Sequence, residues 1–151
     1  MENKNNSILN LMVSHHALLE ALFVLFRDEV AEKSPRAGNS LAELIWETKK
    51  HFFTEENAIF DFVPLENVEI LTTINHLKDE HLIMLSNLSG FAEDLSKVTS
   101  DEVDAFYKML EDHRQVEEKE LYPKLDEKMR EEQKAQVILH INQIPLKDLK
   151  K

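Results

Sequence analysis

Cysteine is absent from this chain of 151 residues, and it holds only 2 glycines and 4 prolines. Without cysteine there is no disulfide, no thiolate zinc site, no cysteine nucleophile and no Cys-bound iron–sulfur cluster, so any metal chemistry rests on His and carboxylate. So little Gly and Pro cannot supply the turns of a many-stranded sandwich or barrel, whereas long helices joined by a few loops need little punctuation. Long apolar runs are also missing: the longest, Leu18 to Phe26, is interrupted by Glu20, and the start Met1-Glu2-Asn3-Lys4 is polar. These features predict a soluble cytoplasmic protein. Positive charge is scarce, with 18 Lys+Arg against 29 Asp+Glu and a net charge of −11. Phosphate backbones and anionic lipid heads would repel such a surface, so neither nucleic acid nor membrane is an expected partner.

What is present suits one compact all-α domain over residues 1–151: hydrophobic residues make up 42% and charged ones 31%, enough for a real core. Ile8, Leu11, Leu18, Leu22 and Phe26 recur at three- and four-residue intervals and predict a first helix from about Ser7 to Glu32, broken by Ser34, Pro35, Gly38 and Asn39. A second helix is expected from the capping box Ser40-Leu41-Ala42-Glu43, through Leu44, Thr48, His51, Glu55 and Phe62, to about Val63 before Pro64. A third carries Ile70, Ile74, Leu77, His81, Met84, Leu88, Phe91 and Leu95 on one stripe. Thr99 and Glu102 form another capping box, and Val103, Phe106, Leu110, His113, Glu117 and Leu121 line a fourth helix that Pro123 kinks or ends. The short connections predict an up-down-up-down four-helix bundle over about residues 8–130, with a peripheral fifth helix from about Glu131 to Ile144.

The informative residues are the polar ones on the apolar stripes. Positions i and i+4 of a helix differ by only about 40°, so His51 with Glu55, and His113 with Glu117, each put an imidazole and a carboxylate on one inward face. His15 falls between Leu11 and Leu18, and His81 between Leu77 and Met84. An internal repeat supports these positions. His51-Phe-Phe-Thr-Glu-Glu aligns with His113-Arg-Gln-Val-Glu-Glu, each followed by an aromatic nine residues after the His, Phe60 and Tyr122. His15 with Leu18, Leu19 and Leu22 matches His81 with Met84, Leu85 and Leu88. The choices of His15 over His16 and of Glu117 over Glu118 rest on this repetition and the periodicity. If the first helix ends near Glu32, His15 lies about 17 residues before the loop and His51 about 11 beyond it, a mismatch of roughly 9 Å that the loop or an early helix end must absorb.

A buried carboxylate costs several kcal/mol unless it is paired or ligates a metal, and no inward Lys or Arg is expected. Two carboxylates and four imidazoles converging on one core amount to a ligand set for two cations. Nitrogen and oxygen donors without sulfur suit iron, manganese or zinc, and a mixed His/carboxylate site inside a four-helix bundle is a pattern of di-iron and di-manganese proteins. Two iron ions are the expected cofactor, with manganese or zinc as alternatives.

These residues resemble the hemerythrin family, specifically its hemerythrin-like cation-binding domains. The match covers about residues 8–130: a first-helix His, His51-x-x-x-Glu55, Glu80-His81, and His113-x-x-x-Glu117-Glu118 running into Leu121-Tyr122-Pro123. The resemblance implies that Glu55 and Glu117 bridge two irons, with His15 and His51 on one and His81 and His113 on the other. Oxygen-carrying hemerythrins have a fifth His in the third helix, where this chain has Leu77, and place the last carboxylate five residues after its His, which would select Glu118. Four His with two Glu is closer to the iron–sulfur repair proteins and to the iron-sensing hemerythrin domain of an F-box protein.

The expected function is binding or sensing of oxygen, nitric oxide or iron at a bridged non-haem di-iron site, by a binding protein rather than a dedicated enzyme. A di-iron redox or cluster-repair enzyme is the alternative, and a metal-free structural or adaptor bundle is the second. His16, His76 and His140 are read as surface residues or neighbours of the ligands. Glu56, Glu80 and Glu118 are read as solvated, or as hydrogen-bond partners that orient imidazoles, and Trp46 is read as core packing.

Overall fold

The computed structural model describes residues 7–64 and 66–143. Helix α1 spans Ile8–Ala31, α2 Ala37–Thr54, α3 Val68–Glu93, α4 Ser100–Val116, α5 Tyr122–Lys128 and α6 Glu131–Gln143. Helix α2 continues through a π-helical turn, Glu55–Ile59, and a short 3-10 turn, Phe60–Phe62; α4 continues through a second π turn, Glu117–Leu121, into α5. Each long helix packs on its chain neighbour and α4 closes the ring on α1, which makes an up-down-up-down bundle. The expected Ile144 end of the fifth helix lies outside the described residues.

Local chemistry explains most boundaries. Ser7 caps α1 by accepting from Asn10 N–H, and Asp126 of α5 accepts from the N–H groups of Ile8 and Leu9. The far end of α1 closes in a Schellman arrangement: Ser34 N–H donates to Glu29 O and Lys33 N–H to Val30 O, with Lys33 in the left-handed region at φ 55°. The Thr99–Glu102 capping box forms as expected.

Several expectations change. Helix α2 starts at Ala37, not at the Ser40-Glu43 box: Ser34 accepts from Arg36 N–H at its hydroxyl and from Ala37 N–H at its carbonyl, Pro35 follows it, and buried Ala37 and Leu41 anchor the extra turn. Pro123 neither ends nor breaks the helical path. The π turn before it has already loosened the α-helical ladder where proline lacks an N–H, and Pro123 sits in the first turn of α5. Phe62, expected on the inner stripe, is exposed in the 3-10 turn and packs on His140 with ring centroids 4.5 Å apart.

The core has two apolar compartments. One gathers Ile8, Met12, Ile59, Phe60, Ile74, Leu77, Tyr122 and Leu125 with Val137 and Ile141 of α6. Helix α6, expected as a peripheral fifth helix, therefore closes one end of the core. The other compartment holds Phe23, Phe26, Leu41, Leu44, Phe52, Met84, Leu88, Val103 and Phe106. Helix α1 is long and apolar enough to cross a membrane by length and composition. In the bundle its Met12, Leu19, Phe23 and Phe26 are core residues, while Val13, Leu18 and Leu25 are exposed.

Candidate metal centre

Between the two apolar compartments lies a layer of buried polar side chains: His16 on α1, His51 on α2, His81 on α3, His113 on α4, and Glu55 and Glu117 at the first positions of the two π turns. Glu55 is 0% exposed and Glu117 1%. The structure brings together five of the six residues expected from the sequence. The sixth place belongs to His16, not His15, which is half-buried on the outer side of His51.

That difference has a physical cause. Helix α1 is apolar nearly all round, so it offers two overlapping stripes. Leu11, Leu18 and Leu22 point to His15; Met12, Leu19, Phe23 and Phe26 point to His16, and the second set is the one buried. With His16 in frame, Met12, Leu19, Phe23 and Phe26 match Leu77, Met84, Leu88 and Phe91 around His81, all of them buried. The axial mismatch disappears as well: His16 lies 15 positions before Ala31 and His51 lies 14 positions after Ala37.

The six side chains form two groups that share both carboxylates. His16, His51, Glu55 and Glu117 offer ligand atoms within 4.8 Å of one another, and so do Glu55, His81, His113 and Glu117. Glu55 Oε1 lies 3.1 Å from His51 Nε2 and 3.4 Å from His81 Nε2. Glu117 Oε1 lies 3.4 Å from His16 Nε2 and 3.3 Å from His113 Nε2. Yet Glu55 Oε1 and the Nε2 atoms of His16, His81 and His113 are buried and have no hydrogen-bond partner. Imidazole nitrogens and carboxylate oxygens gathered this closely from four helices, with no cationic side chain among them, are what a cation-binding site presents. Cationic side chains among the described residues do not enter this layer. Arg114 is held outside it by Glu20 at 2.5 Å and Glu111 at 2.6 Å, and buried Lys134 donates to Asp126 O and pairs with Glu131.

The far nitrogens of three rings are tied down by acids that the sequence offered only as solvated groups or orienting partners. Glu118 meets His16 Nδ1 at 2.6 Å, Glu56 meets His81 Nδ1 at 2.8 Å and Glu80 meets His113 Nδ1 at 3.0 Å. A carboxylate on Nδ1 keeps the proton there and leaves Nε2 free as a donor to a cation. Tyr122 is a site residue that the sequence did not single out. Its hydroxyl lies between Glu55 Oε2 and Glu117 Oε2, hydrogen-bonded to both, at 2.8 Å from the latter. At about 100° per residue, Tyr122 would point well away from Glu117. The π turn, which spreads one more residue over the turn, returns position +5 to the same face. Its repeat partner Phe60 had the same placement after Glu55, so the paired aromatics nine residues after each His were the available signal.

Burial and neighbours set the charge states. Burial is the main influence on His51 and His113 and favours the neutral ring; His113 is pushed down to about 4. His81 differs: burial opposes its charge, but Glu55 and Glu56 outweigh that and raise it to about 8. Burial would raise Glu55, yet the adjoining His51 and His81 hold its carboxyl well below the usual range. Burial and then Glu55 push the Tyr122 phenol well above its ordinary value, so it remains a hydrogen-bond donor.

A small cavity of about 20 Å³ reaches the layer from between α1 and α4, lined by His16, Leu19, Phe52, Leu110, His113 and Arg114 among others. Trp46, expected in the core, is half-buried beside a separate surface groove with Leu41 and Leu95.

Neither the curated proteins nor the solved structures give a significant match. The family model for the hemerythrin HHE cation-binding domain matches residues 6–125. With the bundle, the two His/Glu groups and that match in place, the chain belongs to the hemerythrin HHE cation-binding family and is a metal-binding protein.

Proposed function

We propose that the buried layer holds two iron ions and that the protein binds a diatomic ligand, oxygen or nitric oxide, there. In this reading His16 and His51 serve one ion, His81 and His113 the other, and Glu55 and Glu117 join them. The observation that carries it is the sharing of both carboxylates by the two ligand groups. A set of four imidazoles and two carboxylates suits iron, and manganese or zinc are the competing ions. Iron held by these residues would supply electrons and a place for a small ligand to bind.

The chain's own residues set the conditions for that chemistry. Glu56, Glu80 and Glu118 orient three of the rings. Tyr122 holds both shared carboxylates at their outer oxygens. Leu19, Phe52 and Leu110 give the cavity apolar walls, and its volume of about 20 Å³ leaves room for a diatomic molecule or a water. Ring and carboxylate atoms already in place require little rearrangement on loading, which favours tight binding of the ions.

Metal analysis of the purified protein, with absorption spectra before and after reduction and on exposure to oxygen and to nitric oxide, tests the reading. Two irons per chain and ligand-dependent visible bands are expected, and His81→Ala should abolish both. A protein that purifies and reloads without bound metal would remove it.

A further inference from the structure

The chain folds as two similar halves, α1 with α2 and α3 with α4, each ending in a π turn, and the hydrogen bonds to the imidazoles follow the repeat. The acid after each shared carboxylate holds the ring of the other half's first helix: Glu118 on His16 and Glu56 on His81. The acid before His81, Glu80, holds His113. The corresponding residue, the one before His16, is His15 rather than an acid. It stands beside His51, where the repeat calls for a carboxylate, with ring centroids 6.1 Å apart. His51 Nδ1 is buried and has no hydrogen-bond partner. Beyond it opens a surface pocket of about 300 Å³ lined by Ser14, His15, Glu47, Lys50 and Thr54 with others, whose nearest acid, Glu47, is paired with Lys50 at 3.1 Å. Thus one ring of the four lacks an anionic acceptor, and a surface pocket opens beside it.

We infer that the two cation positions are unequal: the ion served by His16 and His51 is held more weakly and exchanges first, by way of this pocket, and the lack of a carboxylate at position 15 sets the difference. The inference rests on the two-cation reading above. A carboxylate on the far nitrogen makes an imidazole a stronger donor, and losing such a partner costs about 10–100-fold in metal affinity. Two positions differing in one such partner should differ by a factor within that span. An easily exchanged ion beside a firmly held one suits a protein that reports or passes on iron.

The test is release of ferrous ion from the fully loaded protein to an excess of chelator without oxygen. Wild type should lose one ion about 10–100 times faster than the other. His15→Glu should slow the fast phase toward the slow one, His15→Gln, which offers a neutral acceptor, should slow it less, and Glu80→His should speed the slow phase. His15→Ala should leave the two phases nearly as in wild type. Circular dichroism checks folding, and Glu80→His tests the same assignment without touching α1 should His15→Glu fail to fold. Two ions leaving in a single phase, or two phases that ignore both exchanges, would overturn the inference while leaving the two-cation reading intact. A wild type that binds no ferrous ion would overturn both.

Discussion

Tyr122 offers one hydroxyl proton to two buried carboxylates. Without it, Glu55 and Glu117 each keep an oxygen in a dry interior with fewer donors, and an unsatisfied buried group costs about 1–3 kcal/mol. Tyr122→Phe in the metal-free protein is therefore expected to lose about 1–3 kcal/mol in urea denaturation with an unchanged slope; an unchanged midpoint would show that the contact is idle. The histidines predict a pH profile for the same metal-free protein. His113 falls from the ordinary 6.5 to about 4, so the folded state resists a proton that the unfolded chain accepts. That loses about 3 kcal/mol as pH drops from about 6.5 to 4. His81, raised to about 8, acts the other way: its contribution, about 2 kcal/mol, is full below about pH 6.5 and is lost as pH climbs through 8. Melting temperature after chelation should therefore peak near pH 6.5 and fall on both sides, and a monotonic profile between pH 4 and 9 would contradict these assignments.

At the scale of the element, helix ends set local stability and π turns set what faces the site. The Thr99–Glu102 box satisfies two otherwise orphaned N–H groups, so Thr99→Ala should cost about 1 kcal/mol by chemical denaturation. Lys33 holds a left-handed backbone that glycine adopts without strain, and its side chain is exposed. Lys33→Gly is expected to raise stability by about 0.5–1 kcal/mol in the same assay, the relief of strain exceeding glycine's added unfolded-state freedom. Element type and order were legible because apolar residues recur at helical spacing and Thr99 announces its helix. The start of α2 was less legible, since Ser34-Pro35 reads as a break and Ser40-Glu43 as a capping box, and only the burial of Ala37 and Leu41 shows the helix beginning before that box. The π turns have no local signature, and without them nothing turns Tyr122 toward the shared carboxylates.

For the whole molecule, the polar layer separates two apolar compartments, so filling it with cations should stabilise the entire bundle. An ion that binds only the folded state at a hundredfold excess over its Kd contributes about 2.7 kcal/mol, or about 5–10 °C in melting temperature for a domain of this size. Chelation should lower the melting temperature by that amount in wild type and by much less in His51→Ala; an adaptor bundle that binds no metal would show no change in either.

An all-α bundle and the His-x-x-x-Glu pairs on two of its helices could be read from composition and spacing, because helical periodicity sorts residues by angle within each helix. The same periodicity leaves neighbours about 100° apart, and on a helix as uniformly apolar as α1 either His15 or His16 can claim the inner face. What resolved it was matching depth across four packed helices, which puts His16 level with His51 and sends His15 outward. The acids on the outer nitrogens and the tyrosine between the shared carboxylates likewise came from contacts between helices, which no single-helix pattern contains.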